Sequence, residues 1–215
     1  MNIIFVADIF GLTDEFKGLC QQITLNVEQV FNLKKSSNIT CHLIGPYLKQ
    51  PKLFCSEQEA YLYFIKNVTL EGYVKHLKKE LSKISGTSVL VGFSVGGSAI
   101  WQLCSENTCQ QSLMAICFYS SQIRHMMQLT PSIDTRLILP TSEEHFSVAD
   151  MRSALQKKSN VTIEQSTKLH GFMNVLSPNY DSDEHQHYIK RLTDLLSTEY
   201  SQYITEQSSN STAAK

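Results

Sequence analysis

A serine set between two glycines, Gly92-Phe93-Ser94-Val95-Gly96, is the part of this chain best suited to chemistry. The apolar, β-branched run Val89-Leu90-Val91 precedes it and Ala99-Ile100-Trp101 follows it, which predicts a strand that turns sharply into a helix at Ser94. A serine hydroxyl is a poor nucleophile at neutral pH and needs a base within hydrogen-bond reach and room for a carbonyl carbon to approach. An elbow of this kind provides both. Flanking glycines keep Cβ atoms out of the tight turn, and the free amides of a helix N-terminus face the site. The bland alternative, a glycine-rich turn with an incidental serine, does not account for the strand and helix patterns on either side.

In an elbow of this class the nucleophile is followed in chain order by an acid after a later strand, then by a histidine near the C-terminus. Among seven histidines, His170 in Lys168-Leu169-His170-Gly171-Phe172 follows the last expected strand and precedes the final helix, so it is the expected base. His42 falls in a strand, and His76 and His125 fall on or near helices. The acid is open on the residues alone. Glu143 and Glu144 lie in the loop after the strand Thr135 to Leu139, and Asp150 opens the next helix, where the macrodipole already explains a carboxylate.

The elements that must position these residues alternate regularly. Asn2 to Asp8, Ile39 to Ile44, Thr87 to Gly92, Leu113 to Tyr119, Thr135 to Leu139 and Val161 to Glu164 read as six short buried strands. Thr13 to about Val30, Tyr61 to Ile84, Gly96 to about Glu106, Val148 to Lys157 and Asp183 to about Tyr203 show helical spacing, and Thr13 and Ser147 are expected N-caps. Such alternation predicts an α/β fold, a mostly parallel sheet with helices on both faces and the site beyond the carboxyl ends of the strands. Residues 45–60 read as an irregular loop. One domain over 1–205 and a disordered polar tail over 206–215 complete the organisation.

Composition excludes several function classes. With 19 Lys+Arg against 20 Asp+Glu, a net charge of -1 and no basic block, the chain has no electrostatic footprint for nucleic acid or an anionic membrane. The N-terminus reads as a strand, not a signal peptide, and no run is long enough to span a bilayer. Six scattered cysteines without zinc spacing read as small buried hydrophobes in a reducing compartment, so a cytoplasmic location is expected. His185-Gln186-His187 reads as a solvated helix end. No metal and no cofactor are expected, and the sequence leaves the oligomeric state open.

Over almost its whole length the chain resembles the dienelactone hydrolase family of α/β-hydrolases. The likeness is carried by Asp8-Ile9-Phe10-Gly11, Gly92-Phe93-Ser94-Val95-Gly96-Gly97, Glu144-His145-Phe146 and His170-Gly171-Phe172. The resemblance implies a reduced α/β-hydrolase fold of about six strands. It implies Ser94 as nucleophile, Glu144 as acid, His170 as base, and the backbone amides of Val95 and Ile9 as oxyanion hole. Dienelactone hydrolase itself uses a cysteine where this chain has Ser94, the family acid is usually aspartate, and Asp8 replaces a family glutamate. Asn174 stands where the family has a carboxylate-binding arginine, and no arginine precedes Arg124. The family's anionic lactone substrate therefore does not carry over.

Two readings follow. In one, the protein is a serine hydrolase cleaving a small ester, lactone or thioester, with Asp8, Phe93, Tyr119 and Phe172 lining an apolar pocket. In the other, the fold persists as a catalytically inactive binding module.

Overall fold

A computed structural model describes residues 1–32, 39–49, 53–106, 108–109 and 111–213, with side chains through 209. Residues 50–52 of the expected loop and 214–215 of the expected tail lie outside the described residues. Six strands, β1 (Asn2–Val6), β2 (Thr40–Ile44), β3 (Ser88–Phe93), β4 (Ser112–Phe118), β5 (Asp134–Leu139) and β6 (Val161–Gln165), pair in the order β2-β1-β3-β4-β5-β6. Every pairing is parallel. Each strand-to-strand crossover therefore has to pass over a face of the sheet, which is where helices α1 (Asp14–Val30), α2 (Glu57–Asn67), α3 (Thr69–Leu81), α4 (Val95–Ser105), α5 (Val148–Leu155) and α6 (Ser182–Ala213) are placed.

The central strands are apolar on both sides because helices cover both. Ile3, Phe5, Val89, Val91 and Phe93 face α1 and α6, packing with Ile23, Val27, Leu192 and Leu196. Ile4, Val6 and Leu90 face the other way, toward Tyr73, Leu77, Ile100 and Trp101. β3 is buried at all six positions. That two-sided burial explains why its middle, Val89-Leu90-Val91, runs as unbroken hydrophobics instead of alternating.

Local caps set the helix starts. The hydroxyls of Thr13, Ser56 and Ser147 accept from the amides of Phe16, Glu59 and Asp150, at 3.2, 3.1 and 3.1 Å. The helix expected over Tyr61 to Ile84 is two helices, the first starting four residues earlier at Glu57. The break falls at Val68, before Thr69, whose φ of +63° interrupts the helix without glycine or proline and whose hydroxyl caps Gly72 N at 3.3 Å. Where a disordered tail is expected from 206, α6 continues to Ala213. Four cysteines are buried as expected, but Cys41 and Cys55 are exposed. Among the described residues no helix is long and apolar enough to cross a membrane, and no His/Cys/Asp/Glu group could hold a metal ion.

Candidate active site

β3 ends at Phe93 and α4 begins at Val95, leaving Ser94 alone between them with φ 51° and ψ −116°. Such a conformation costs a residue with a Cβ about 1–3 kcal/mol and persists only where neighbours hold it. Here Ser94 N donates to Phe118 O on β4 at 2.9 Å, and the amide and hydroxyl of Ser98 both donate to Ser94 O at 3.0 and 3.1 Å. The glycines make the crossing possible. A Cβ on Gly92 would lie 2.6 Å from Cα of Gly97, and one on Gly96 would run into the carbonyl oxygens of Val6 and Ala7.

His170 reaches Ser94 from the loop after β6. Its Nε2 lies 2.9 Å from Ser94 Oγ, and its Nδ1 lies 2.8 Å from Oε1 of Glu143. A carboxylate can only accept, so Glu143 places the imidazole proton on Nδ1 and leaves the Nε2 lone pair for the serine proton. The loop is fixed from several sides. Thr141 N donates to Lys168 O at 2.8 Å, Asn179 Nδ2 donates to His170 O at 2.9 Å, and Gly171 turns the chain with φ +90°. The Tyr119 ring packs against the imidazole with centroids 4.9 Å apart.

The family likeness implies Glu144 as the acid, but the carboxylate that the structure brings to His170 is that of Glu143. Glu144 and Asp150 are both exposed, while the Glu143 side chain is only 16% exposed and meets His170. The physical reason is the anchoring of this loop. Thr141 is held by the backbone of the histidine loop at one end, and Ser147 caps α5 at the other. Phe146 tucks against the core beneath Arg124, whose guanidinium sits 5.1 Å from the ring centroid. Between those anchors Glu143 turns inward and Glu144 faces solvent.

The amide of Val95 is the first of α4 and has no intrahelical acceptor. That of Ile9 makes no hydrogen bond among the described residues. Both are thus available as the two oxyanion donors implied by the resemblance. Ile9 lies in a tight turn, in which Gly11 N donates to Asp8 O at 3.1 Å and Phe10 N donates to Asp8 Oδ1 at 2.9 Å. Tyr47 donates its hydroxyl to Ile9 O at 2.5 Å.

A small cavity of about 20 Å³ beside the elbow is lined by Asp8, Phe16, Phe93, Tyr119, Asn174 and His185, among others, with no lysine or arginine. Phe172 does not line it. Its ring is enclosed by Phe118, Tyr119 and Tyr188 and belongs to the core on the α6 side, because Gly171 turns the chain inward there. His185, expected at a solvated helix end, is 9% exposed, its Nδ1 has no partner, and burial lowers its pKa. A larger cavity of about 510 Å³ lies at the opposite, N-terminal ends of β3 and β4, against Ser88 and Ser112, and holds none of this machinery.

Burial raises the Asp8 carboxyl from 3.8 to about 6, with Glu57 adding to the rise and Asn174, the Phe10 amide and His170 opposing it. The folded protein therefore holds this proton more tightly than the unfolded chain does. Asp8's contribution to stability is fully present below about pH 4 and is lost as pH rises through about 6, a change of about 3 kcal/mol. Asp8→Asn removes that dependence. Its unfolding free energy minus that of the wild type is expected to rise by about 3 kcal/mol between pH 4 and pH 7 in denaturant titrations. A difference independent of pH would mean that Asp8 titrates near its ordinary value.

No protein-family model matches the sequence, and no curated protein matches it in sequence. Solved structures do match. A dienelactone hydrolase-like promiscuous phosphotriesterase from metagenomic libraries is 10% identical with a TM-score of 0.60, covering 92% of this chain and 85% of that one. A CIB-like hydrolase of Thermoplasma acidophilum is 14% identical with a TM-score of 0.56, covering 92% and 86%. The chain has the α/β-hydrolase fold. A monoacylglycerol lipase of Paleococcus ferrophilus matches over 90% of this chain and 94% of its own, at 7% identity and a TM-score of 0.56. At these identities the likeness concerns the fold alone, and the α/β-hydrolase scaffold carries many chemistries.

Proposed function

We propose that this α/β-hydrolase-fold protein is a serine hydrolase that cleaves a small neutral ester, lactone or thioester through an acyl-enzyme. The observation that carries the reading is the unbroken chain Ser94 Oγ, His170 Nε2, His170 Nδ1, Glu143 Oε1, with links of 2.9 and 2.8 Å. His170 takes the Ser94 proton as Oγ attacks the carbonyl carbon. The amides of Val95 and Ile9 receive the developing oxyanion, and each such donor contributes about 2.7–4 kcal/mol in comparable hydrolases. His170 then protonates the leaving alkoxide or thiolate. Water, deprotonated by the same imidazole, releases the acid and restores Ser94. Glu143 holds the imidazole tautomer and stabilises the imidazolium throughout.

The departures from the family at the acid and at Asp8 do not favour a catalytically inactive binding module, since Glu143 meets His170 and Asp8 is built into the turn at Ile9. The neighbours named phosphotriesterase and monoacylglycerol lipase accord with ester cleavage on this fold. The balanced charge and the free cysteines accord with a cytoplasmic enzyme.

Substrate charge follows from the residues beside the pocket: Asn174 stands where the family has a carboxylate-binding arginine, and it bonds the buried Asp8 instead of offering a cation. An anionic substrate would lose hydration and gain no charge-assisted partner. Neutral p-nitrophenyl esters are expected to show kcat/KM at least about tenfold above that of matched esters carrying a carboxylate on the acyl chain. A preference for the anionic esters would contradict this assignment of the pocket.

A further inference from the structure

Asp8 is more deeply placed than a pocket wall requires. The residue is 6% exposed, and its two carboxylate oxygens serve two different loops. Oδ1 accepts from Phe10 N at 2.9 Å, closing the turn around Ile9, while Oδ2 accepts from Asn174 Nδ2 at 2.6 Å. Asn174 belongs to the turn that starts just after His170, since Asn174 N donates to Gly171 O at 2.8 Å. Its amide is also oriented, because Asn174 Oδ1 accepts from Leu176 N at 2.9 Å and so turns Nδ2 toward Asp8. On the other side of the turn the Tyr47 hydroxyl holds Ile9 O, and Tyr73 donates to Ala7 O at 3.0 Å.

Resting on the hydrolase reading above, we propose that the Asp8–Asn174 hydrogen bond locks the turn presenting the Ile9 amide to the loop carrying His170. Asp8 and Asn174 are then positioning residues of the hydrolytic site. The oxyanion donor and the base must both be in register with Ser94 at the moment of attack, and small displacements of such groups are costly to the rate. A bridge between their two loops fixes one relative to the other. Substrate affinity depends little on this register, so its loss falls on kcat and not on KM.

The geometry provides an unusual test, because the two side chains can be exchanged. In Asp8→Asn alone, the introduced side-chain amide must point its NH2 group at either the Phe10 N–H or the Asn174 NH2, and one donor loses its acceptor. In Asn174→Asp alone, two carboxylates face each other. In the double variant, Oδ1 of the residue at 8 accepts from Phe10 N and its Nδ2 donates to the carboxylate at 174. The other oxygen at 174 accepts from Leu176 N, and one negative charge remains near His170. Asn174→Ala removes the bridge from its partly exposed side and guards against a folding failure at the buried position.

The experiment measures p-nitrophenyl acetate hydrolysis, fluorophosphonate labelling of Ser94 and denaturant midpoints for the full-length wild type, D8N, N174D, N174A and D8N/N174D. We expect each single variant to lose about a hundredfold in kcat with KM within about threefold, and the exchange to recover to within about tenfold of the wild type. Single variants within about threefold of wild-type kcat would overturn the bridge, and so would an exchange as slow as the product of the two single losses. In either case a wild type that hydrolyses the ester and labels at Ser94 leaves the hydrolase reading standing. A wild type that does neither takes both down.

Discussion

Ser94→Ala and His170→Ala are each expected to abolish turnover of short neutral p-nitrophenyl esters, with kcat falling by about 10⁴ to 10⁶ and the fold retained. Ser94 Oγ and His170 Nε2 are 2.9 Å apart and act as one unit, so removing either member costs nearly as much as removing both. The double variant is therefore expected to be no slower than about tenfold below either single variant. Retention of the fold is expected because neither side chain supports the core. Ser94 is held by its backbone, and replacing its hydroxyl leaves the bonds from Ser98 and to Phe118 intact. Circular dichroism and an unfolding free energy within about 1 kcal/mol of the wild type would check that the loss is chemical. A variant of either residue with near-full activity would remove it from the mechanism.

The second large effect distinguishes neighbouring glutamates. Glu143→Gln keeps the shape of the acid but replaces an acceptor-only carboxylate with an amide that can present its NH2 to Nδ1. The imidazole is then driven to the wrong tautomer, with its proton on Nε2 facing Ser94, and the imidazolium loses its counter-charge. A fall in kcat of about 10⁴ is expected. Glu144→Gln alters an exposed side chain with no part in the chain of hydrogen bonds and is expected to stay within about twofold. Steady-state kinetics on the two variants decide the matter, and a crippled Glu144→Gln beside an active Glu143→Gln would restore the register implied by the family likeness.

That register shows where sequence reading stops. The sheet was legible because a parallel strand covered on both faces runs apolar through its middle, as β3 does at Val89-Leu90-Val91, and because Gly92 and Gly96 sit where α4 crosses β3 and β1. His170 was legible from chain order alone. Glu143 was not, since adjacent residues in an irregular loop share composition and have no periodicity. What turns one inward is the bond from Thr141 N to Lys168 O and the packing of Phe146, both set by distant chain. The break between α2 and α3 was hidden for a related reason. A β-branched residue in left-handed backbone, Thr69 at φ +63°, is not among the usual signals of a helix end, and only its hydroxyl cap on Gly72 hints at a new start. The pocket aromatics divided on direction. Phe93 and Tyr119 line the cavity, whereas Phe172 turns into the core, a difference in side-chain orientation that residue type does not encode. The extent of α6 beyond Tyr203 was not legible because of its polarity. It carries no apolar face there, and hydroxyl bonds back along the helix, such as Ser208 Oγ to Ile204 O at 2.8 Å, accompany its last turns.

The most direct test of an activated nucleophile is intact-mass analysis of the wild type after exposure to a fluorophosphonate, followed by peptide mapping. A single adduct is expected, on Ser94, absent in Ser94→Ala and slowed by orders of magnitude in His170→Ala and Glu143→Gln. An unmodified, folded wild type, or an adduct mapped to any other residue, would contradict it.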